Sequence, residues 1–175
     1  MVHYRRNRVA GGTYFFTANL RNRNATMLVD YVDALRAAFR DVRRRRPFSV
    51  DAMVVLPDHL HAIWTLPPGD GDYPGRWQAI KSRFTRTLAA NGVAINRNSK
   101  GECDLWQRRY WEHTIRDEND MRRHIDYIHY NPVKHGHVAS VAEWPFSSFH
   151  RFVKAGVYPL DWSAGESDLD GGGYE

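Results

Sequence analysis

Apolar positions recur along the chain with two different periods, and their order predicts an α+β fold. Runs rich in aromatic and β-branched residues predict strands over residues 11–20, 48–57, 59–67 and 105–115. Apolar residues three and four apart predict helices over residues 28–45 and 75–91. A third helix is expected to begin after Asp117 and to end at Asn131-Pro132, because proline cannot continue the hydrogen-bond ladder. A short closing helix is expected within residues 142–156.

The order β-α-β-β-α-β, followed by a further helix, is typical of a ferredoxin-like or RRM-like antiparallel sheet with helices on one face. The other face of such a sheet is often an open platform for single-stranded nucleic acid. No internal repeat and no linker interrupts residues 1–160, so we expect a single domain there. Residues 161–175 are acidic and end in "DGGGYE", which predicts a flexible C-terminal tail.

Composition excludes several classes of protein. The chain has 175 residues and a single cysteine, Cys103, which excludes an internal disulfide framework and a cysteine-rich zinc cluster. The stretch "MVHYRRNRVAGGTYFF" lacks the apolar core of a signal peptide, no apolar run is long enough to span a bilayer, and no phosphate-binding loop is visible. We therefore expect a cytoplasmic protein, associated with neither a membrane nor a nucleotide cofactor.

Positive charge is concentrated in the body of the chain. All 25 basic residues precede residue 161, whereas the last fifteen residues carry five acids, and the net charge is +5. Of the 25 bases, 21 are arginine, whose planar guanidinium binds phosphate in a bidentate manner. A genome that favours arginine codons would explain the same count, but a basic body points first to nucleic acid. The candidate DNA contacts are Arg5, Arg6, Arg8, Arg21, Arg23, Arg108, Arg109 and Arg123.

The stretch "VVLPDHLHAIW", residues 54–64, places two histidines on one side of a predicted strand. Side chains two residues apart point to the same face, so His59 and His61 stand side by side while Leu60 faces the helices. The histidines are then expected on the face away from the core. They could be an ordinary hydrogen-bonded pair, but two converging imidazoles are also a ready pair of metal ligands that needs a third.

The third predicted helix, within "MRRHIDYIHYNPVKHG", carries a tyrosine and an amide one turn apart. Tyr127 and Asn131 lie about 40° apart around the helix axis. Met121, Ile125 and Ile128 form the apolar face, which leaves Tyr127 on the polar side. A surface tyrosine and a C-terminal asparagine are the simpler explanation of each residue alone. Together with the histidine pair they form a coherent site.

Three motifs in order carry a resemblance to a known family. "PDHLHAIW" resembles the His-hydrophobe-His signature of the HUH single-strand endonucleases. With "WQRRYWEHTIR" and "HIDYIHYNPVKHG", the chain resembles the REP-associated tyrosine transposases, relatives of the single-tyrosine transposases of small insertion sequences. The resemblance covers most of the chain, from residue 4 to residue 150.

The resemblance implies a mechanism and a substrate. Tyr127 would be the nucleophile that forms a 5′-phosphotyrosine, and His59, His61 and Asn131 would bind Mg²⁺ or Mn²⁺. The substrate would be single-stranded DNA beside the hairpin of a repetitive extragenic palindrome (REP), which implies a nucleoid-associated protein. The oligomeric state stays open, and a monomer is compatible with the pattern.

Two other classes of function fit part of the sequence. A non-catalytic RRM-like module that binds single-stranded nucleic acid would explain a basic, aromatic surface, but it gives no reason for paired histidines opposite a tyrosine helix. A zinc-dependent hydrolase would use the histidines and leave the tyrosine without a role. Metal-dependent covalent trapping of a DNA strand separates the transposase from both.

Overall fold

A computed structural model of the protein describes residues 7–164, so Arg5, Arg6 and the predicted tail from residue 165 onward lie outside the described residues. The strands are β1 (Thr13–Asn19), β2 (Ser49–Val55), β3 (His59–Thr65) and β4 (Trp111–Thr114). The helices are α1 (Met27–Asp30), α2 (Val32–Arg45), α3 (Tyr73–Ala90), α4 (Glu118–Lys134) and α5 (Phe149–Lys154), with a 3-10 turn at Val141–Glu143.

The four strands form one antiparallel sheet in the order β2-β3-β1-β4. Chain order and sheet order together make a ferredoxin-like βαββαβ unit, and the predicted α+β class is confirmed. β3 lies between β1 and β2, so both sides of the histidine strand are hydrogen-bonded within the sheet. A short connection at Pro57 and Asp58 joins β2 to β3, as their turn chemistry predicts.

Helices α2 and α3 pack on one face of the sheet and enclose the main core. The alternate residues of β3, Leu60, Ala62 and Trp64, point into this core and are fully buried. Trp64 stacks on Trp77 of α3 with ring centroids 4.4 Å apart. Aromatic pairs of this kind bury large apolar areas and orient α3 against the sheet.

The opposite face is not open, because α4 lies across it. Phe15, Val54 and Ile63 project from three neighbouring strands on this side and form a second apolar cluster with Tyr127 and Ile128 of α4. Since that face is also apolar, covering it with a helix removes its side chains from water. The expectation of an exposed platform is therefore wrong, and the face with the histidines is the floor of a buried layer.

Two predicted elements have different boundaries in the structure: the first helix and the fourth strand. The helix expected over residues 28–45 is interrupted at Tyr31, which separates α1 from α2. The strand expected over residues 105–115 pairs with β1 only from Trp111 onward. Before it, Trp106 makes an isolated bridge to Leu20 and packs its ring on Phe84 of α3, so this stretch closes the end of the core instead of extending the sheet.

The third predicted helix is longer than expected, because α4 continues through Pro132 to Lys134. Proline removes one backbone donor, but the amides of His135 and His137 bond to the carbonyls of Asn131 and Pro132 and close the last turn. The extra turn brings Lys134 and His135 to the histidine pair. No helix among the described residues has the length and apolar character needed to cross a bilayer.

Candidate metal and nucleophile site

His59 and His61 lie side by side beneath α4. Their ring centroids are 5.0 Å apart, and both residues are buried, His61 completely. The alternation of β3 places them on one face, as predicted, and the packing of α4 explains why that face excludes water. A solvated surface pair of histidines is therefore excluded.

A carboxylate lies behind His59 and orients its ring. His59 Nδ1 donates to Asp58 Oδ1 at 2.8 Å, and the other carboxylate oxygen pairs with Arg23 Nε at 2.7 Å. Burial acts to raise the pKa of Asp58, but the His59 hydrogen bond and the charges of His59 and Arg23 hold it below its ordinary value. With its proton on Nδ1, His59 presents an Nε2 lone pair, the arrangement that carboxylates impose on metal-binding histidines.

His61 is held neutral by its surroundings. Its Nδ1 and the hydroxyl oxygen of Thr17, on the neighbouring strand, are 2.8 Å apart. Burial, and then the positive charges that His59, His135 and Lys134 can carry, lower the pKa of His61 well below its ordinary value. A neutral imidazole is the form that binds metal ions.

Four buried polar atoms on the predicted ligand residues have no hydrogen-bond partner within the described part of the chain. They are Nε2 of His59, Nε2 of His61, and both Oδ1 and Nδ2 of Asn131, whose side chain is fully buried. Leaving a buried polar group unpaired costs about 1–3 kcal/mol, so we expect a ligand or a water molecule at these atoms. Two imidazole nitrogens and one amide oxygen are a donor set that fits a divalent ion.

Tyr127 stands next to this group of atoms. Its ring lies edge-on to His61, with centroids 5.2 Å apart, and 6.0 Å from the ring of Phe15. Tyr127 is only 4% exposed. The predicted polar side of the helix is therefore excluded from solvent: Tyr127, His124 and Asn131 are all buried, and the rings of Tyr127 and His124 lie against Phe15 of the sheet.

Two further residues, Lys134 and His135, border the site, and the sequence patterns did not predict either of them. Lys134 Nζ donates to the phenolic oxygen of Tyr127 at 3.5 Å and lies 5.0 Å from the centre of its ring. The ring of His135 lies 5.1 Å from that of His59. Helical spacing could have identified Lys134, because it lies seven residues from Tyr127 on the same face of the helix. Pro132 instead led to the prediction that the helix ends before Lys134.

An exposed tryptophan continues the row of side chains across the sheet. Thr17 pairs with His61 on one side and with Trp111 on the other, so these three side chains share one face. Trp111 is 44% exposed at the sheet edge, about 10 Å or two strand spacings from His61. Among the large hydrophobic side chains that are exposed within residues 7–164, Trp111 is the aromatic one.

The predicted DNA-contact arginines that the structure describes are all exposed. Arg23 is the one that reaches the site, through Asp58. Arg21 pairs with Asp104 at 2.6 Å, and Arg108 lies 3.6 Å from Glu102. The remaining described members are Arg8, Arg109 and Arg123.

A second group of potential ligands lies where β4 meets α4. His113 Nε2 donates to Asp120 Oδ2 at 2.9 Å, and His124 Nδ1 donates to the Asp120 carbonyl at 2.8 Å. The two imidazoles stack with centroids 4.7 Å apart. The Asp120 carboxylate also accepts from the amide of Arg116 at 3.0 Å, so the cluster is linked internally and joins the first turn of α4 to the sheet.

Comparison with known proteins gives consistent results. The family model described as "Transposase IS200 like" matches residues 9–131. The chain is 48% identical to the REP-associated tyrosine transposase of Escherichia coli strain K12 over 98% of its own length and 97% of that protein. A Haemophilus influenzae homologue is 46% identical over 97% of both chains.

A solved structure is similar to the whole described fold. It is a REP-associated tyrosine transposase bound to a REP hairpin, with a TM-score of 0.83 and 49% sequence identity. The similarity covers 94% of this chain and 93% of that one.

Proposed function

The chain belongs to the IS200-like transposases, and within them to the REP-associated tyrosine transposases, and from this we propose that it cleaves and rejoins single-stranded DNA beside REP hairpins through a 5′-phosphotyrosine. The observation that carries the proposal is the contact between Tyr127 and His61, beside buried ligand atoms that lack partners.

His59, His61 and Asn131 would hold the metal ion. Their unpartnered Nε2 and Oδ1 atoms supply two imidazoles and one amide oxygen, and Asp58 and Thr17 orient the imidazoles from behind. A Mg²⁺ or Mn²⁺ ion bound there would polarise the scissile phosphate and offset the charge that develops on its oxygens.

Tyr127 would attack the phosphorus atom. A bond forms between the phenolic oxygen and phosphorus, and the bond from phosphorus to O3′ breaks, which leaves a 3′-hydroxyl on the other strand end. The phenolic proton is lost to solvent, and O3′ gains a proton. In the rejoining step a 3′-hydroxyl attacks the same phosphorus and Tyr127 leaves. The Lys134 ammonium, 3.5 Å from the phenolic oxygen, stabilises negative charge on that oxygen in both directions.

The single strand would reach the site along the edge of the sheet at β4. Trp111 offers an exposed ring there on which an unpaired base can stack, and Arg109 and Arg123 are exposed cations of the DNA-contact set. The solved relative is bound to a REP hairpin, which supports a DNA hairpin as the partner of this chain.

A non-catalytic RRM-like module is disfavoured by the same geometry. Such modules stack bases on the free face of the sheet, whereas α4 covers that face here. The covered face instead holds the histidines and Tyr127. Association with the nucleoid remains an expectation that follows from DNA as the substrate.

The proposal is tested by covalent trapping with strands labelled at either end. A 5′-phosphotyrosine keeps the 3′-side fragment on the protein, so a 3′-labelled strand should give a labelled protein in the presence of Mg²⁺ or Mn²⁺. A 5′-labelled strand should give a shortened free strand that ends in a 3′-hydroxyl. Label carried to the protein only from the 5′ end, or an adduct formed equally in chelator, would contradict the proposal.

A further inference from the structure

Two imidazoles and a carboxylate meet where β4 packs on the first half of α4, and the proposed mechanism gives none of them a role. Asp120 and His124 are four residues apart on α4, so they lie on one face of the helix. β4 supplies His113. Within residues 7–164, these three side chains are the group of His, Cys, Asp or Glu whose ligand atoms all lie within 4.8 Å of one another. We call them the β4–α4 cluster.

The β4–α4 cluster has spacings close to those of a metal site. His113 Nε2 lies 2.9 Å from Asp120 Oδ2, and His124 Nδ1 lies 3.2 Å from Asp120 Oδ1. Ligand atoms bound about 2.0–2.1 Å from a tetrahedral zinc ion are about 3.4 Å apart. Each nitrogen–oxygen pair therefore has to separate by only a few tenths of an ångström to admit an ion.

Burial distinguishes the cluster from the acidic groups that are common on protein surfaces. Asp120 and His124 are each 3% exposed, whereas the side chain of His113 is 21% exposed. Two ligands are thus held in the interior, and His113 can turn toward an ion that enters from its side. The neighbouring cation is Arg116, whose Nε lies 3.6 Å from Asp120, and its exposed side chain can move into solvent.

The protonation states of the buried pair also suit a metal ion. Burial lowers the pKa of His124, although its hydrogen bond to the Asp120 carbonyl acts in the opposite direction. Burial acts to raise the pKa of Asp120, but hydrogen bonds from His113 and the Arg116 amide hold it below its ordinary value. A neutral imidazole and an ionised carboxylate are the forms that bind metal ions.

The donor set favours zinc over the ions expected beside Tyr127. Two imidazole nitrogens and one carboxylate oxygen are a recurrent ligand set of Zn²⁺, with water in the fourth position. Mg²⁺ prefers oxygen ligands in octahedral geometry, and Mn²⁺ binds a given set of nitrogen and oxygen donors more weakly than Zn²⁺. Asp120 adds negative charge to this set, whereas two imidazoles and an amide oxygen are neutral donors.

An ion in the cluster would fasten α4 next to the nucleophile. The ring of Phe15 has its centroid 4.8 Å from that of His124 and 5.5 Å from that of His61, so one phenyl ring contacts both groups of ligands. His124 precedes Tyr127 by three residues on α4. A link from His113 to His124 therefore restrains the part of α4 that holds Tyr127 against the sheet.

We propose that His113, Asp120 and His124 bind a zinc ion, separate from the ion beside Tyr127, and that this zinc ion fastens the first half of α4 to β4. The proposal depends neither on the DNA substrate nor on the cleavage chemistry, because it follows from the contacts between one strand and one helix.

Zinc binding to the full chain tests the proposal. Bound zinc is counted by metal analysis after gel filtration, and its Kd is measured by competition with a chromogenic chelator. A variant with His59→Ala and His61→Ala lacks the imidazoles of the other site, so it reports on the β4–α4 cluster alone. The test substitution is His113→Gln, because glutamine can still donate to Asp120 and preserve the fold. His150→Gln, at a half-buried imidazole of α5, is the matched control.

The parent and His150→Gln should each bind two zinc ions, and the variant with His59→Ala and His61→Ala should bind one. Adding His113→Gln to that variant should weaken the remaining binding at least ten-fold. Zinc at about one hundred times its Kd should raise the Tm of the variant with His59→Ala and His61→Ala by about 5–10 °C, and His113→Gln should remove this rise.

Two results would overturn the inference: no zinc on the variant with His59→Ala and His61→Ala, or equal zinc affinity with and without His113→Gln. An ion that is lost through His113→Gln but not through the two alanine substitutions would support the β4–α4 site and contradict the metal site of the proposed function. The two sites are therefore judged independently.

Discussion

The imidazole of His61 lies edge-on to the phenol of Tyr127, with the two ring centroids 5.2 Å apart. The first residue comes from a central strand and the second from a helix more than sixty residues later in the chain. Their contact places a candidate nucleophile beside a candidate metal ligand in a layer that excludes water. Electrostatic interactions in such a layer are stronger than in solvent, which suits the charge changes of phosphoryl transfer.

Replacing Tyr127 by phenylalanine should abolish strand cleavage and the covalent adduct. DNA binding should stay nearly unchanged, because only one hydroxyl is lost and the ring still fills its place against His61. The control is Tyr130→Phe, which alters a half-buried tyrosine one turn along the same helix. An adduct that persists in Tyr127→Phe and disappears in Tyr130→Phe would reassign the nucleophile. Denaturing gels with a 3′-labelled strand give the readout.

Removing either imidazole should remove metal-dependent cleavage. We expect His59→Ala and His61→Ala to lose cleavage and Mn²⁺ binding measured by calorimetry, while Asn131→Ala loses less, because an amide oxygen is the weakest donor of the three. His150→Ala removes an imidazole on α5 and should behave like the parent protein. Cleavage by either His59→Ala or His61→Ala in a buffer containing chelator would contradict the metal site.

Neutralising Asp58 should weaken metal binding without removing a ligand. Asp58→Asn keeps the size of the side chain but loses the charge that stabilises the Nδ1 proton of His59. Changes to such supporting groups lower metal affinity by about 10–100-fold. Asp104→Asn is the control, since Asp104 pairs with Arg21 outside the site. Equal Mn²⁺ affinity in Asp58→Asn and in the parent would show that the carboxylate does not support the ligand.

Shortening Trp111 should weaken binding of the unpaired strand. A stacked base contributes about 1–3 kcal/mol, so Trp111→Ala should lower single-strand affinity by roughly 5- to 150-fold, and Trp111→Phe should retain part of it. Fluorescence anisotropy of a labelled single strand is the measurement, with Val157→Ala as the control for an exposed apolar side chain elsewhere. Loss of affinity that is equal for Trp111→Ala and Val157→Ala would exclude stacking.

Stability should fall as the solution is made acidic, and His129 should account for part of the loss. Burial, with a smaller contribution from Arg151, lowers the pKa of His129 to about 3, whereas a histidine in the unfolded chain titrates at about 6.5. As the pH falls, His129 therefore binds a proton in the unfolded chain but not in the folded protein. The stabilisation is complete above pH 6.5 and is lost progressively between there and pH 3.

Urea unfolding at pH 7 and pH 5 measures this effect. Protonation of His129 in the unfolded chain should by itself lower the free energy of unfolding by about 2 kcal/mol from pH 7 to pH 5. His129→Leu should therefore show a smaller drop than the parent, although His61 and His124, whose pKa values are also lowered, continue to contribute. The same drop in both proteins would mean that His129 is protonated in the folded state.

Local periodicity was enough to predict the elements and the relations within each of them. Alternation along β3 placed His59 and His61 on one face, and helical spacing placed Tyr127 and Asn131 one turn apart. These relations depend only on the backbone geometry of a single strand or helix, so a short stretch of sequence determines them. The order of the elements then indicated the ferredoxin-like sheet, and the three motifs indicated the family.

Only the tertiary structure decided which faces meet. The expected open face is covered, because Phe15, Val54 and Ile63 make it apolar as well, and no periodicity within one strand shows that a distant helix will bury it. The same packing brings Lys134 to Tyr127, and the pairing of β1 with β4 brings Trp111 into line with His61. Such contacts join residues far apart in sequence, and their free energy comes from long-range burial and not from local backbone preference.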